Sequence, residues 1–151
     1  MSMPKTKEQT LHISPDYIVG FVDGEGCFCI SIAKHKTLRR KAEVRLLFEI
    51  ELKEDDHAVL QAIQKTLGCG NIYRLEYQRY AQWKPHVKLK VSNIKDIVEH
   101  IIPFFDKHPL QAKKRKDYLL FRKAAFLIAD KQHLTDNGCK KIQRLKESIN
   151  V

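Results

Sequence analysis

Apolar and polar residues near the start of the chain follow the pattern of a helix. Ser14 is suited to cap the first turn, because a serine oxygen can accept hydrogen bonds from free backbone N–H groups, and Pro15 needs no hydrogen bond there. An apolar run, residues 17–22, follows, and the glycine-rich residues 24–26 end it. The pattern therefore predicts a short helix stopped by glycine.

The next two segments have a different spacing. Side chains alternate between apolar and polar along residues 27–34 and 42–53. Such alternation, with a period of two, is typical of strands that bury one face. The linking residues 35–41 are basic. We predict a hairpin with a cationic tip.

A second helix and a second hairpin are predicted downstream. Asp55 and Asp56 can cap a helix that Gly68 closes in the left-handed conformation. Residues 71–80 and 83–92 would then form two strands that are rich in aromatic and cationic side chains.

Further helices are predicted after this hairpin. Ser92 or Asn93 begins a short one that Pro103 limits, because proline disrupts a helix interior. A longer helix covers residues 111–129, and Thr135 caps the last one. The order of elements predicts an α+β domain with antiparallel strands, helices on one face of the sheet and the other face free.

Length and composition are typical of one soluble domain. The chain has 151 residues, of which 43% are hydrophobic and 30% charged. We expect a flexible arm, residues 1–13, and a single domain, residues 14–151. No stretch approaches the roughly 18 consecutive apolar residues that a membrane span requires, and the polar first residues do not resemble a secretion signal. We therefore expect an intracellular, reducing compartment, either a prokaryotic cytoplasm or an organelle such as a mitochondrion or chloroplast.

The charge balance points to polyanionic partners. Lys and Arg number 28 against 18 Asp and Glu, which gives a formal net charge of +10 and an isoelectric point near 9.5. Such an excess favours a phosphate-binding surface. Charge alone does not distinguish DNA-binding proteins from ribosomal, RNA-binding or membrane-surface proteins.

The cysteines do not form a metal-binding pattern. Cys27 and Cys29 make a Cys-x-Cys pair, but no second pair follows at zinc-finger spacing, since Cys69 and Cys139 stand alone. We expect four reduced, half-buried thiols and no structural zinc.

Two glycines in the first predicted helix indicate a contact between helices. Gly20 and Gly24 are four residues apart and share one helical face, where the missing Cβ atoms would let another backbone approach closely. Glycine within a helix costs about 0.5–1 kcal/mol relative to alanine, and a close helix contact would offset that loss. The alternative is a surface helix that frays at its glycines.

Asp23 and Glu25 lie where the first helix ends, and the helix dipole disfavours a carboxylate there by a few tenths to about 1 kcal/mol. A nearby divalent cation would reverse that effect. If two such helices cross at a dimer axis, two glutamates emerge side by side. Carboxylates, together with water and phosphate oxygens, suit Mg²⁺.

Residues 17–26 resemble the signature helix of the LAGLIDADG homing endonucleases, with Glu25 at the penultimate acidic position. The resemblance continues through residues 67–72 (LGCGNI), 101–110 (IIPFFDKHPL) and 133–135 (HLT), so it covers nearly the whole domain. It implies an αββαββα fold with a saddle-shaped antiparallel sheet and helices on one face. It also implies metal-dependent cleavage of both strands of DNA.

The resemblance implies roles for single residues. Glu25 would bind Mg²⁺, with Mn²⁺ as a substitute and Ca²⁺ as a non-catalytic ion, and the backbone carbonyl of Gly24 could add a ligand. Lys113, or Lys114 as the alternative, would stabilise charge on the phosphate, unless this basic cluster is simply solvated. Asp23 would be structural.

The implied dimer interface contains Tyr17, Gly20, Phe21 and Gly24. In one position the chain departs from its relatives. Many of them carry a polar residue, often Gln, where this chain has Leu52. Any water-positioning role of that residue is therefore in doubt here.

Contact with DNA is expected on the free sheet face, where Arg can pair with guanine and Glu can accept a hydrogen bond from cytosine. The candidates are Ser31, Lys36, Arg39, Arg40, Glu43, Arg45, Glu49, Tyr73, Tyr77, Arg79, Lys84, His86, Lys88 and Lys90. The glutamates could instead be ordinary cross-strand partners of Arg and Lys.

The leading hypothesis is an intron-encoded, homodimeric endonuclease that cuts a long, near-palindromic DNA site. Two active sites related by a two-fold axis would cut across the minor groove and leave 3′ extensions. One alternative is a non-catalytic nucleic-acid binder, such as an RNA maturase or a DNA-binding regulator, which has no need of Glu25. Another is a ribosome-associated or structural protein, which does not explain Gly20, Gly24 and Glu25 together.

Overall fold

The structure, a computed structural model, describes residues 11–34, 42–77 and 84–151. The strands are β1 (Gly26–Lys34), β2 (Ala42–Lys53), β3 (Asn71–Leu75) and β4 (His86–Val91). The helices are α1 (Pro15–Glu25), α2 (His57–Leu67), α3 (Ile94–Asp96), α4 (Ile102–Lys107), α5 (Lys114–Ala129) and α6 (Asp136–Ser148). Short 3-10 turns precede α2 and α6.

The strands form one antiparallel sheet in the order β1-β2-β4-β3, which confirms the predicted α+β architecture. Each predicted hairpin is present, and β2 joins β4 so that the two hairpins lie side by side. The register pairs Gly26 with Ile50, Phe48 with Val91, and Ile72 with Leu89. Long-range pairing of two local hairpins therefore builds a continuous surface.

One face of the sheet carries the hydrophobic core. Phe28 is fully buried at its centre, with its ring 5.1 Å from those of Phe48 and Phe121 and 5.8 Å from that of Phe105. Rings at these separations add attraction to the burial of their apolar area. The helices pack on this face. Because successive side chains along a strand point to opposite faces, the residues between these core positions lie on the other side of the sheet.

We call that other side the open face. Its side chains are half-buried or exposed wherever the structure describes them. It consists of Cys27, Cys29, Ser31 and Ala33 on β1, Glu43, Arg45, Leu47, Glu49 and Glu51 on β2, Asn71, Tyr73 and Leu75 on β3, and His86, Lys88 and Lys90 on β4.

Several predicted caps are confirmed by hydrogen bonds. Ser14 Oγ accepts from the Tyr17 N–H at 3.2 Å, and Asn93, rather than Ser92, caps α3. Thr135 caps α6 by accepting from the Gly138 N–H at 3.0 Å. Gly68 adopts the left-handed conformation after α2, with φ of 81°.

The N-terminal cap predicted for the second helix is found in position but not in hydrogen bonding, since Asp56 is the N-cap residue of α2. Glu54, Asp55 and Asp56 form a 3-10 turn, and the Asp56 side chain makes no cap hydrogen bond to α2. Asp55 instead lies 3.6 Å from the Lys84 ammonium. Three successive acids at a helix start are favourable to the helix dipole without any one of them acting as a cap.

Pro103 does not end its helix as predicted. The chain is helical from α3 through a π-helical turn, Ile97–Ile101, into α4, whose first turn contains Pro103. Proline has no N–H to donate, and its ring crowds the carbonyl one turn earlier. The wider π turn immediately before it gives the backbone the room to continue.

Helix α5 begins at Lys114, later than predicted from the pattern. Gln111 and Ala112 lie in a loop because both donate their backbone N–H groups to the Asp23 carboxylate. Strands β3 and β4 are shorter than predicted, and residues 78–83 lie outside the described ones. Among the residues that the structure describes, no helix combines the length and apolar character needed to span a membrane.

Candidate active site and nucleic-acid interface

Helix α1 has a buried side and an exposed glycine side. Ile18, Val19 and Val22 pack into the core. Gly20 and Gly24 are exposed, and a Cβ atom added at either would meet nothing within 4 Å. The glycine side is therefore a smooth surface on which another helix has room to pack.

Two aromatic residues border this surface. Tyr17 is 51% exposed, and its ring centroid lies 5.9 Å from that of the half-buried Phe21. Exposed aromatic side chains beside glycine are typical of surfaces that are covered in an assembly. The residues predicted for the interface thus lie at exposed or half-buried positions of α1. They are Tyr17, Gly20, Phe21 and Gly24.

Glu25 is the last residue of α1, and β1 begins at the next residue. The junction is tight because Gly26 is buried against Val22, and a Cβ atom on Gly26 would lie 2.7 Å from Val22 Cγ1. The Glu25 side chain is exposed, and it has no hydrogen bond or ion pair within the described part of the chain. This junction fixes where the carboxylate emerges.

Asp23 has a different environment, although it lies only two residues away. Its two carboxylate oxygens accept from the backbone N–H groups of Gln111 and Ala112, at 3.0 and 3.3 Å. These bonds hold the start of α5 at the C-terminal end of α1. They bring the basic residues Lys113 and Lys114 to the same end of the domain as Glu25.

The two candidate lysines differ in position. Lys113 is exposed, whereas Lys114 is half-buried, and the Lys114 ammonium is close enough to act on the Cys29 thiol on the open face. Burial and the neighbouring Cys27 raise the pKa of Cys29 to about 12, although the charge of Lys114 lowers this pKa. Cys29 is therefore a protonated thiol at neutral pH.

Acidic and cationic residues alternate across the open face and pair with one another. Lys88 Nζ lies 3.4 Å from a Glu49 oxygen and 3.6 Å from a Glu51 oxygen, and Arg45 lies 3.0 Å from Glu43. Such pairs are worth little to stability while solvent is present. Glu49 and Glu51 are thus cross-strand partners of Lys88, as the alternative hypothesis proposed, whereas Glu43 pairs with Arg45 along its own strand.

Glu51 is the centre of the densest part of this network. Its carboxylate accepts from the Tyr77 hydroxyl at 2.8 Å and lies 3.3 Å from His86 Nδ1. Partial burial would raise the pKa of Glu51, but the Tyr77 hydrogen bond and the charge of Lys88 outweigh it and hold the pKa below its usual value. The pKa of Lys88 is raised because Glu49 and Glu51 outweigh its partial burial. The sequence pattern places Glu51 on this face but does not predict its central position, because Tyr77 is 26 residues away.

The structure brings most of the predicted DNA-contacting residues to one surface. The following residues lie on the open face: Ser31, Glu43, Arg45, Glu49, Tyr73, His86, Lys88 and Lys90. Tyr77 reaches it through Glu51, and Lys84 precedes β4 at its edge. Lys36, Arg39, Arg40 and Arg79 lie outside the described residues.

Leu52 has the opposite orientation. It pairs with Val87, is 8% exposed and belongs to the core. A side chain there points to the helices rather than to the open face. The chain therefore uses this position for packing.

Comparison with known protein families agrees with these features. The model of the LAGLIDADG endonuclease family matches residues 18–125, which include most of α1 with Glu25, the whole sheet and most of α5. The chain belongs to the LAGLIDADG endonuclease family. The match includes Gly20, Gly24 and Glu25, on which the resemblance in sequence rests.

Curated LAGLIDADG relatives include "Probable intron-encoded endonuclease 2" of Neurospora crassa, which is 34% identical over 134 residues. That match covers 89% of this chain and 27% of the relative. The chain spans about a quarter of the length of the first curated relatives that it matches.

Solved LAGLIDADG structures share the fold. The homing endonuclease I-TnaI superposes with a TM-score of 0.82 at 30% identity, covering 93% of this chain and 90% of that one. I-SmaMI, bound to an uncleaved DNA target in the presence of calcium ions, superposes with a TM-score of 0.84 at 31% identity. This match covers 91% of this chain but 45% of I-SmaMI, so the chain corresponds to about half of that enzyme.

Proposed function

We propose that this LAGLIDADG domain is a site-specific homing endonuclease that cuts both strands of DNA. The observation that carries the proposal is the position of Glu25. An exposed carboxylate with no hydrogen bond or ion pair to any described residue stands at a tight helix-to-strand junction, beside an open sheet face of alternating Arg, Lys, Glu and Tyr side chains. A binding protein gains nothing from an acid at that place, because DNA phosphates repel it.

A divalent cation fits the residues at this junction. Glu25 offers a carboxylate and Gly24 a backbone carbonyl, and such hard oxygen donors suit Mg²⁺, with Mn²⁺ as a substitute. No three His, Cys, Asp or Glu side chains within the described ranges are grouped to hold a metal, so the site proposed here uses few protein ligands, as Mg²⁺ sites usually do. The remaining positions suit water, a DNA phosphate and the second glutamate of a dimer. When bound, the ion would supply activated water and charge neutralisation at the phosphate.

The chain's own residues would orient and stabilise the reacting phosphate. Lys113 would stabilise the charge that develops on it, and Lys114 is the alternative because it lies towards the open face. Asp23 would act as a positioning residue through the loop that it holds. Calcium would support binding without cutting, since it accepts looser geometry than the reaction needs.

We further propose that two copies of this domain form a homodimer through the glycine side of α1. The match to about half of I-SmaMI supports a need for two such domains, and the match to 90% of I-TnaI supports a domain of this size as one chain. Each copy would contribute one Glu25 and one open face. The target would then be a long, near-palindromic duplex, cut to leave 3′ extensions.

The test is cleavage of a randomised duplex DNA library by the full chain, followed by sequencing of the products. With Mg²⁺ we expect one family of near-palindromic sites with short 3′ extensions, and with Ca²⁺ we expect binding of the same sites without cutting. Selective binding without any cleavage in Mg²⁺ or Mn²⁺ would favour a maturase or regulator instead.

A further inference from the structure

Two thiols on the open face are in direct contact. The Sγ atoms of Cys27 and Cys29 lie 3.0 Å apart, because residues two apart on a strand point to the same side. Both side chains are half-buried, and Cys27 follows Glu25 by two residues. Cys69 and Cys139 are also free, but they lie on the turn after α2 and on α6. The contact therefore distinguishes one pair among four thiols.

The spacing of this pair permits a bond but does not favour it. Two residues along a strand separate Cα atoms by roughly 6.4–6.8 Å, at the wide end of the roughly 4.4–6.8 Å found for disulfides. Closing the bond must bring the two Sγ atoms from 3.0 Å to about 2.05 Å apart, and the pull on both residues bends β1. A disulfide formed under such strain is easily reduced, which is the property of reversible rather than structural disulfides.

We propose that Cys27 and Cys29 form a reversible modification site that reacts with a small-molecule disulfide of the glutathione class to give an intramolecular disulfide. One thiolate attacks the oxidant, forms a mixed disulfide and releases one thiol. The second cysteine sulfur then displaces the other thiol. Two electrons pass from the cysteines to the oxidant, and the two cysteine protons are balanced by the two thiols released. Since both sulfurs are half-buried and no enzyme assists, the reaction proceeds over minutes to hours.

A disulfide between Cys27 and Cys29 would displace the proposed catalytic residue Glu25. Cys27 pairs with Glu49 across the sheet and is joined to Glu25 through Gly26, which is packed tightly against Val22. Bending β1 at Cys27 therefore displaces the junction that fixes the Glu25 carboxylate. A misplacement of about 1 Å can cost on the order of 100-fold in rate. This effect rests on the proposed function, whereas formation of the disulfide does not.

The experiment treats the full chain with oxidised glutathione, blocks the remaining thiols by alkylation and measures intact mass, peptide masses and DNA cleavage. We expect a product lighter by two hydrogens, with the bond inside the peptide that contains residues 27–29. Cleavage should fall by about 100-fold and return after dithiothreitol. Cys27→Ser and Cys29→Ser should retain one glutathione as a mixed disulfide instead, because neither variant can close the internal bond. The matched controls Cys69→Ser and Cys139→Ser should behave as the parent does.

Three results would overturn the proposal. The first is a stable mixed disulfide at Cys27 or Cys29 in the parent chain, with no internal bond. The second is an internal bond that forms elsewhere. The third is an oxidised protein, with the bond between residues 27 and 29 verified, that cuts as fast as the reduced one. If the reduced protein does not cut at all, the proposed function fails, while the mass measurements still decide whether the site exists.

Discussion

Glu25 and Asp23 show how the same chemical group serves two purposes within one turn of chain. Asp23 turns its two oxygens to the backbone N–H groups of Gln111 and Ala112, so its charge is used in holding a loop. Glu25 is exposed and has no such partner in the described structure. A carboxylate on a tightly packed backbone junction, with no partner among the described residues, is suited to bind a cation because no internal bond must first be broken.

Glu25→Gln is predicted to stop cleavage and spare DNA binding. The substitution keeps the size of the side chain and removes its charge, so the rate should fall by about 100- to 1,000-fold. Affinity should stay the same or rise, since repulsion from phosphate is removed. Single-turnover cleavage and fluorescence anisotropy measure the two effects. Asp16→Asn, at the exposed first turn of the same helix, is the control. An unchanged cleavage rate in saturating Mg²⁺ would mean that Glu25 is not catalytic.

A second residue-scale prediction concerns Asp106. Burial would raise its pKa, but hydrogen bonds from Arg122, at 3.0 Å, and from Tyr118, at 2.6 Å, hold the pKa below its usual value. A lowered folded pKa means that the stabilisation is present above about pH 3.9, the ordinary carboxyl value, and is lost as the pH falls through the folded pKa. Because Asp106 is partly exposed, Asp106→Asn should cost on the order of 1 kcal/mol near neutral pH.

Urea denaturation at several pH values measures this contribution. The difference between Asp106→Asn and the parent should shrink as the pH falls below about 4. Glu99→Gln, an exposed carboxylate within the preceding π-helical turn, should show no comparable difference. An Asp106→Asn penalty that is constant down to low pH would contradict the ionic origin of the effect.

At the scale of elements, short contacts between neighbouring segments determine where helices start. Helix α5 begins two residues after Ala112, whose N–H group donates to Asp23. Helix α6 begins after Thr135, which caps it. The turn before α6 is packed very closely: a Cβ atom on Gly138 would lie 1.8 Å from the Gln132 carbonyl oxygen. Neither contact belongs to the sheet, yet each positions a helix that packs against β1.

Gly138→Ala is predicted to destabilise the domain. The added methyl group cannot fit against the Gln132 backbone, so the turn must move, which costs about 1–3 kcal/mol. Thermal unfolding followed by circular dichroism measures the loss. Asn137→Ala, at the exposed neighbouring position of the same helix turn, is the matched control and should change stability by no more than about 0.5 kcal/mol. Equal stability of Gly138→Ala and the parent would show that the turn adapts freely.

Association belongs to the scale of the whole molecule. The glycine side of α1 is exposed together with Tyr17, and a homodimer would cover it. Gly20→Leu should force the two helices apart and leave each domain folded. Analytical ultracentrifugation should then detect a dimer for the parent and a monomer for the variant at micromolar concentration. A parent chain that stays monomeric with and without DNA would rule out the homodimer.

The charge of the whole molecule predicts a strong dependence of DNA affinity on salt. Each chain has a net charge of +10, so a dimer should displace many counterions from DNA, and the logarithm of affinity should fall linearly with the logarithm of salt concentration. Lys90→Gln, on the open face, should reduce the slope by about one for each phosphate that its ammonium neutralises. Lys140→Gln, on α6, should leave the slope unchanged. A flat dependence for the parent would contradict the electrostatic argument.

Local chemistry determined which segments become helices and strands, and it identified most of the candidate site. The alternation along β1 and β2, the caps at Ser14 and Thr135 and the glycine spacing of α1 involve only residues close in sequence. Neighbours in the chain decide such features directly, because their spacing fixes which face a side chain occupies. The same local rule placed Glu25 at a helix end and both Cys27 and Cys29 on one side of a strand.

The tertiary structure alone decided which distant groups meet. Asp23 accepts a hydrogen bond from Gln111, which lies 88 residues further along the chain. Because of that contact, and not because of helix propensity, α5 starts later than the pattern predicts. Tyr77 and His86 converge on Glu51 because β2 pairs with β4 in the sheet. No periodic pattern carries this information, since the order of strands in the sheet arises from the packing of the two hairpins against the helices. Residue type and spacing therefore supply the reactive groups, while the pairing of β2 with β4 determines which of them act together.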